Sequence, residues 1–238
     1  MRMANVKARL AGVFYLITTV TGIFAEFFVR GTFVVPADAA ATALHIQSGE
    51  TLYRLGFVAD LIGGGAYIVV SLLLYELLRP VNTTMALLAL IFSLIGSAIG
   101  GVVGLAHLAP LFLLGNAHYL TAFDTAQLQA LALLSLKLHT QGYLISLMFF
   151  GVFEVLVGYL MFRSTFFPRI LGALVAVAGM AFVANSLIIF VWPALGRAVS
   201  DYFVYLDGIG EIALMLWLLF AGVNTRKWEA IAAGTVHD

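Results

Sequence analysis

The chain has 238 residues, 63% hydrophobic and 10% charged, with 12 basic against 12 acidic side chains and a mean hydropathy of +1.06. A soluble domain is nearer about half apolar and about a quarter charged, so this composition excludes an ordinary water-soluble globule and predicts a multi-pass helical membrane protein. Zero formal net charge removes the electrostatic case for nucleic acid, and the lack of cysteine excludes disulfides, thiolate metal sites and cysteine nucleophiles.

Six spans are expected, at about 10–28, 53–78, 85–114, 138–162, 170–191 and 202–223 of one integral membrane domain covering 1–238. The first follows Met1-Arg-Met-Ala-Asn-Val-Lys-Ala-Arg9 and is too long for a signal-peptide core, so it reads as a retained span. Asp38 is expected to N-cap a short helix over Ala39–Gln47, ended by Gly49. Arg79-Pro80 stops the second span, and Pro110 lies near the far end of the third. Asp124 is placed to cap a helix from Thr125 to Phe162, about 57 Å at ~1.5 Å per residue. That length predicts either an outward projection or, preferred here, a bend or break near Thr140-Gln-Gly142. Pro168 reads as a first-turn proline of the fifth span and Pro193 as its stop.

Lys and Arg set the orientation. With the N-terminus inside, the cytoplasmic side carries eight of the 12: Arg2, Lys7, Arg9, Arg79, Arg163, Arg169, Arg226 and Lys227. Arg30, Arg54, Lys137 and Arg197 fall outside, so both termini are expected in the cytoplasm.

Five acids interrupt the apolar stretches: Glu26, Asp60, Glu154, Asp207 and Glu211. A carboxylate in hydrocarbon costs about 2.5–3.5 kcal/mol on insertion scales, so such groups face a protein interior, a partner or a water-filled cavity. Asp207 and Glu211 share one helix face. Counted from the outer ends, Asp60, His107, Asp207 and Glu211 lie at similar depth, with His139 above them and Arg54 and Lys137 as nearby cations. The expected site is an outward-facing polar pocket of Asp60, Asp207, Glu211, His107, His139 and Arg54. It would bind a small ligand or ion, or relay protons. No metal is assigned, although Asp60, His107, His139, Asp207 and Glu211 are the candidate ligands. The structural alternative is that these groups tie helices together and neutralise one another.

Glu154 reads as an isolated inner-half acid making a helix-to-helix hydrogen bond, and Glu76 as an ion pair with Arg79. Gly63-Gly-Gly65 and Gly96-x-x-x-Gly100-x-x-x-Gly104 form small-residue surfaces, read first as packing between spans two and three and second as a homodimer interface. No His-Glu-x-x-His, nucleophile elbow or Ser-x-x-Lys pattern occurs.

Several strings carry a family resemblance. They include Leu10-Ala-Gly-Val-Phe-Tyr-Leu-Ile17, Ala25-Glu-Phe-Phe-Val-Arg30, Arg54-Leu-Gly56 with Ala59-Asp60, and Arg79-Pro-Val-Asn82. Phe123-Asp-Thr-Ala-Gln-Leu-Gln129, Leu138-His139, Gly142-Tyr-Leu144, Phe162-Arg-Ser164 and Pro168-Arg-Ile-Leu-Gly172 extend it from about residue 8 to about 223. Together they resemble the bacterial membrane family called domain of unknown function 4386. The resemblance implies a bacterial polytopic membrane protein and assigns no activity, cofactor or functional residue. Three functions stay open: a small-ligand or ion-binding membrane protein, an intramembrane metal-dependent hydrolase acting on lipid, and a structural or assembly subunit of a membrane complex.

Overall fold

The computed structural model describes residues 3–234, and all regular structure among them is helical. Hydrocarbon offers no water to the backbone, so each spanning segment must satisfy its own amides, and uninterrupted helix is the result. Six helices are long and apolar enough to cross a membrane. They are α1 (Met3–Phe33), α3 (Glu50–Leu78), α4 (Thr83–Leu113), α5 (Thr125–Arg163), α6 (Arg169–Val191) and α7 (Pro193–Ala221). Two shorter helices complete the set, α2 (Ala39–Ser48) and α8 (Thr225–Ala232).

Local signals account for most ends. The Asp38 carboxylate accepts from the Ala41 amide at 2.9 Å and caps α2, which Gly49 follows, as its sequence predicts. Asp124 and Gln127 form a reciprocal capping box at the start of α5. Pro193 takes the first-turn position of α7, so it opens this helix as well as closing α6, whose last residue is Val191.

The break expected near Gly142 is absent: α5 is helical from Thr125 to Arg163. Thr140 returns its hydroxyl to the Leu136 carbonyl, and Gly142 lies where a Cβ would collide with the Val103 side chain. Gly142 therefore serves close approach rather than interruption.

By contact the chain divides into two units. The first comprises residues 1–16, 66–97 and 145–238. Its core includes Leu74, Leu77, Leu160, Met161 and Leu218, all essentially inaccessible. Gly222, at φ 69°, turns the chain between α7 and α8. The Trp217 indole donates to the Gly222 carbonyl at 2.9 Å, and Asn5 Oδ1 accepts from the Val223 amide at 3.2 Å. Lys7 pairs with Glu76 at 2.5 Å, the place the sequence reading gave to Arg79.

The second unit comprises residues 17–65 and 98–144. Its smaller core joins Val29, Phe33, Ile46, Tyr53 and Leu136. Residues Phe24–Arg30 of α1 form a π-helical segment, a wide turn common near functional or strained positions.

Candidate functional site

In the first unit, small residues decide how closely α5, α6 and α7 approach. On α5, Gly151, Glu154 and Gly158 lie three and four residues apart, on one face. A Cβ at Gly151 would come within 2.7 Å of the Gly179 carbonyl oxygen, and one at Gly158 within 2.6 Å of the Gly172 carbonyl oxygen. On α7, Gly210 is equally confined: a Cβ there would lie 2.5 Å from Ala178 Cβ and 3.1 Å from Leu174 O. Glycines on α5 and α7 thus rest on the α6 backbone from both sides. Where lipid removes the hydrophobic drive for helix association, such backbone proximity supplies the packing energy.

The acids beside those glycines are drawn together. Glu154 of α5 and Asp207 and Glu211 of α7 each offer a carboxylate oxygen, and these atoms lie within 4.8 Å of one another. Glu154 is 2% exposed and Asp207 5% exposed. Both oxygens of Glu154 and Oδ1 of Asp207 are buried, and the neighbours these carboxyls bond are one another. The interhelical hydrogen bond expected for Glu154 has the α7 acids Asp207 and Glu211 as its partners.

Aromatic side chains complete the surroundings. The Tyr15 hydroxyl donates to Glu211 Oε1 at 3.1 Å and so orients that carboxyl. Tyr67 meets Tyr15 edge-on at 5.7 Å, Phe150 at 4.9 Å and Phe153 at 5.8 Å. Its hydroxyl is buried beside that of Tyr15. Among the described residues, no Lys, Arg or His forms an ion pair with Glu154, Asp207 or Glu211. Chemically, three adjacent carboxyls without a cationic neighbour hold shared protons or a bound cation, because like charges at this spacing repel strongly in a medium of low dielectric.

The remaining expected site residues belong to the second unit. Asp60 is held by Arg30, whose Nη1 lies 2.6 Å from Asp60 Oδ2 and whose Nε lies 2.7 Å from Glu26 Oε2. Arg30 thus fills the role the sequence reading gave to Arg54 and Lys137. Arg54 instead pairs with Glu50 at 2.7 Å, with both side chains more than half exposed. His107 is fully buried, stacked on Tyr53 at 4.3 Å. Its Nε2 lies 3.3 Å from the Tyr53 carbonyl, while the Tyr53 hydroxyl donates to the His107 carbonyl at 2.6 Å. His139 meets His107 edge-on at 5.6 Å and stacks on Tyr143 at 6.3 Å. Asp60, His107 and His139 belong to no group of three potential metal ligands among the described residues.

Glu154, expected to stand alone in the inner half, instead joins Asp207 and Glu211. The available signal was Gly151-x-x-Glu154-x-x-x-Gly158, which puts an acid on a close-packing face. Six long apolar helices with an unpaired carboxyl group buried among three of them define a multi-pass helical membrane protein. The chain belongs to the family described as Domain of unknown function (DUF4386), whose model matches residues 10–222. It is similar to a protein of Archaeoglobus fulgidus described as "Uncharacterized protein", 28% identical over 155 residues, covering 65% of this chain and 76% of that one. No solved structure matches the chain.

Proposed function

We propose that this protein binds a small cation at the carboxyl centre of Glu154, Asp207 and Glu211, as an ion-binding or ion-translocating component of the cell inner membrane. One observation carries the reading: three carboxylate oxygens within 4.8 Å of one another, with no ion pair to a cationic side chain among the described residues. A purely structural contact would be expected to leave buried acids paired, because an unpartnered polar group in hydrocarbon costs several kcal/mol. Placement of the termini in the cytoplasm follows from the Lys and Arg distribution. The lipid-hydrolase reading gains less support, since it needs the histidines as metal ligands and neither joins the carboxyl group.

The test uses a hydrophobic carbodiimide, which attaches to protonated carboxyls in apolar surroundings. Purified protein in detergent should be modified at Glu154, Asp207 or Glu211, and a bound cation should protect these residues. Peptide mapping that finds all three unmodified, or modified identically in every cation tried, would rule out the proposal.

A further inference from the structure

We infer that a cleft in the first unit, between the α5–α6 connection and the start of α8, is a site for the phosphodiester headgroup of one anionic phospholipid, held by Lys227. The cleft has a volume of about 420 Å³. Small-ligand sites occupy about 300–1,000 Å³. It shares no residue with the carboxyl centre. Three membrane-crossing helices begin or end around it, α5 at Arg163, α6 at Arg169 and α7 at Ala221, which puts the cleft at the level of lipid headgroups.

The lining has two chemistries. Its apolar part is Phe166 and Phe167, buried with their rings 5.3 Å apart, and Trp217, whose indole is fixed by its bond to the Gly222 carbonyl. The Asn224 amide donates to the Phe166 carbonyl at 3.2 Å, and the Asn224 side chain caps α8 at the Lys227 amide, so the helix carrying Lys227 is tied to this wall. The polar part includes Thr165, Asn224 and Lys227, and no Asp or Glu lines the cleft among the described residues. Lys227 is exposed and forms no ion pair among the described residues. The same holds for Arg226 and Arg169, the chain neighbours of the lining residues Lys227 and Pro168. Glu229 follows Lys227 by two residues in α8 and so projects from a different face. Basic residues border many helix ends. A cleft aromatic on one side and cationic on the other fits an amphiphile in particular: glycerol and acyl carbons against Phe166, Phe167 and Trp217, and phosphate against the Lys227 ammonium. Arg226 and Arg169 would repel the ammonium of a zwitterionic headgroup, which selects an anionic one.

The experiment titrates delipidated full-length protein in neutral detergent with phosphatidylglycerol, phosphatidylcholine or water-soluble glycerophosphoglycerol, counting bound molecules by native mass spectrometry. The expected result is one phosphatidylglycerol per chain, bound about tenfold or more tightly than phosphatidylcholine. Lys227→Gln should weaken phosphatidylglycerol binding by about fivefold. Ala221→Trp, at an exposed position on the lining, fills the cleft with every charge kept and should weaken binding at least as much. Arg79→Gln removes an exposed cation that follows α3 and does not line the cleft, and should change binding by less than about twofold. Two variants that act by different means, charge and bulk, guard against misfolding of either one. The inference is overturned by a parent with no preference over phosphatidylcholine, by parental binding in Lys227→Gln or Ala221→Trp, or by Arg79→Gln weakening binding as much as Lys227→Gln. Competition by glycerophosphoglycerol at the concentrations of the lipid would assign the cleft to a soluble phosphodiester and overturn the lipid assignment. Carbodiimide labelling of Glu154, Asp207 and Glu211 should be the same in Lys227→Gln and the parent, so the two sites stand or fall separately.

Discussion

Arg30 shows how a membrane protein keeps acids tolerable. Its guanidinium is shared between Glu26, one turn back on α1, and Asp60 on α3. Removing one partner of a fully buried pair costs about 3–5 kcal/mol, and partial exposure of Asp60 reduces that here. Arg30→Met is expected to destabilise by about 1–3 kcal/mol, read as a lower melting temperature in detergent, and Asp60→Asn in the same chain should recover part of the loss. A melting temperature unchanged by Arg30→Met would show the contact to be energetically idle. Gly158 is a second single-residue determinant. Gly158→Leu drives a side chain into the α6 backbone and should cost about 1–3 kcal/mol or more. Because Glu154 lies one turn away on the same face, the variant should also lose cation protection from carbodiimide, whereas Gly64→Leu, with open space around Gly64, should change neither. Loss of both properties in Gly64→Leu would contradict this account.

At the scale of elements, small residues and caps decide more than hydrophobicity does. Apolar side chains separate lipid from water but do not discriminate between neighbouring helices, since lipid tails are equally apolar. The glycine contacts of α5, α6 and α7 make that choice. Along α4, Gly96 lies against Phe150 of α5 in the first unit, while in the second Gly104 lies against Phe57 of α3. The ridge read from sequence thus serves two partners, the span-two neighbour expected and α5 besides. The short helix α8 is tied down differently. Asn224 caps it through the Lys227 amide at 3.2 Å, and the Trp228 indole donates to the Leu77 carbonyl at 2.8 Å. Trp228→Ala should free this helix, so trypsin should cut after Arg226 and Lys227 several times faster than in the parent. Equal cleavage rates would show that the indole does not hold it.

For the whole molecule, the exposed surface itself demands lipid. Val102, Leu105 and Phe220 are 68%, 64% and 75% exposed, and many other large apolar side chains accompany them, a covering that water would not tolerate. The orientation proposed from Lys and Arg predicts a simple labelling outcome. Because the chain lacks cysteine, T121C and A232C are each the sole thiol in their variant. In intact cells an impermeant maleimide should label T121C and leave A232C unmodified until the membrane is opened. The reverse pattern would invert the topology.

Sequence alone determined that the chain is helical and built from six long apolar segments. Backbone hydrogen bonding in hydrocarbon permits few other spanning structures, and the apolar runs are long enough to show it. It also identified which acids are costly, because a carboxylate in such a run stands out whatever its neighbours. Which carboxyls meet was decided only by tertiary structure. Asp207 and Glu211 share a face by helical spacing, yet nothing local names Glu154 as their companion or Arg30 as the partner of Asp60. Those pairings depend on the rotation of each helix and on which glycines find a neighbouring backbone. That information lies in the packing of separate segments and not in any one of them.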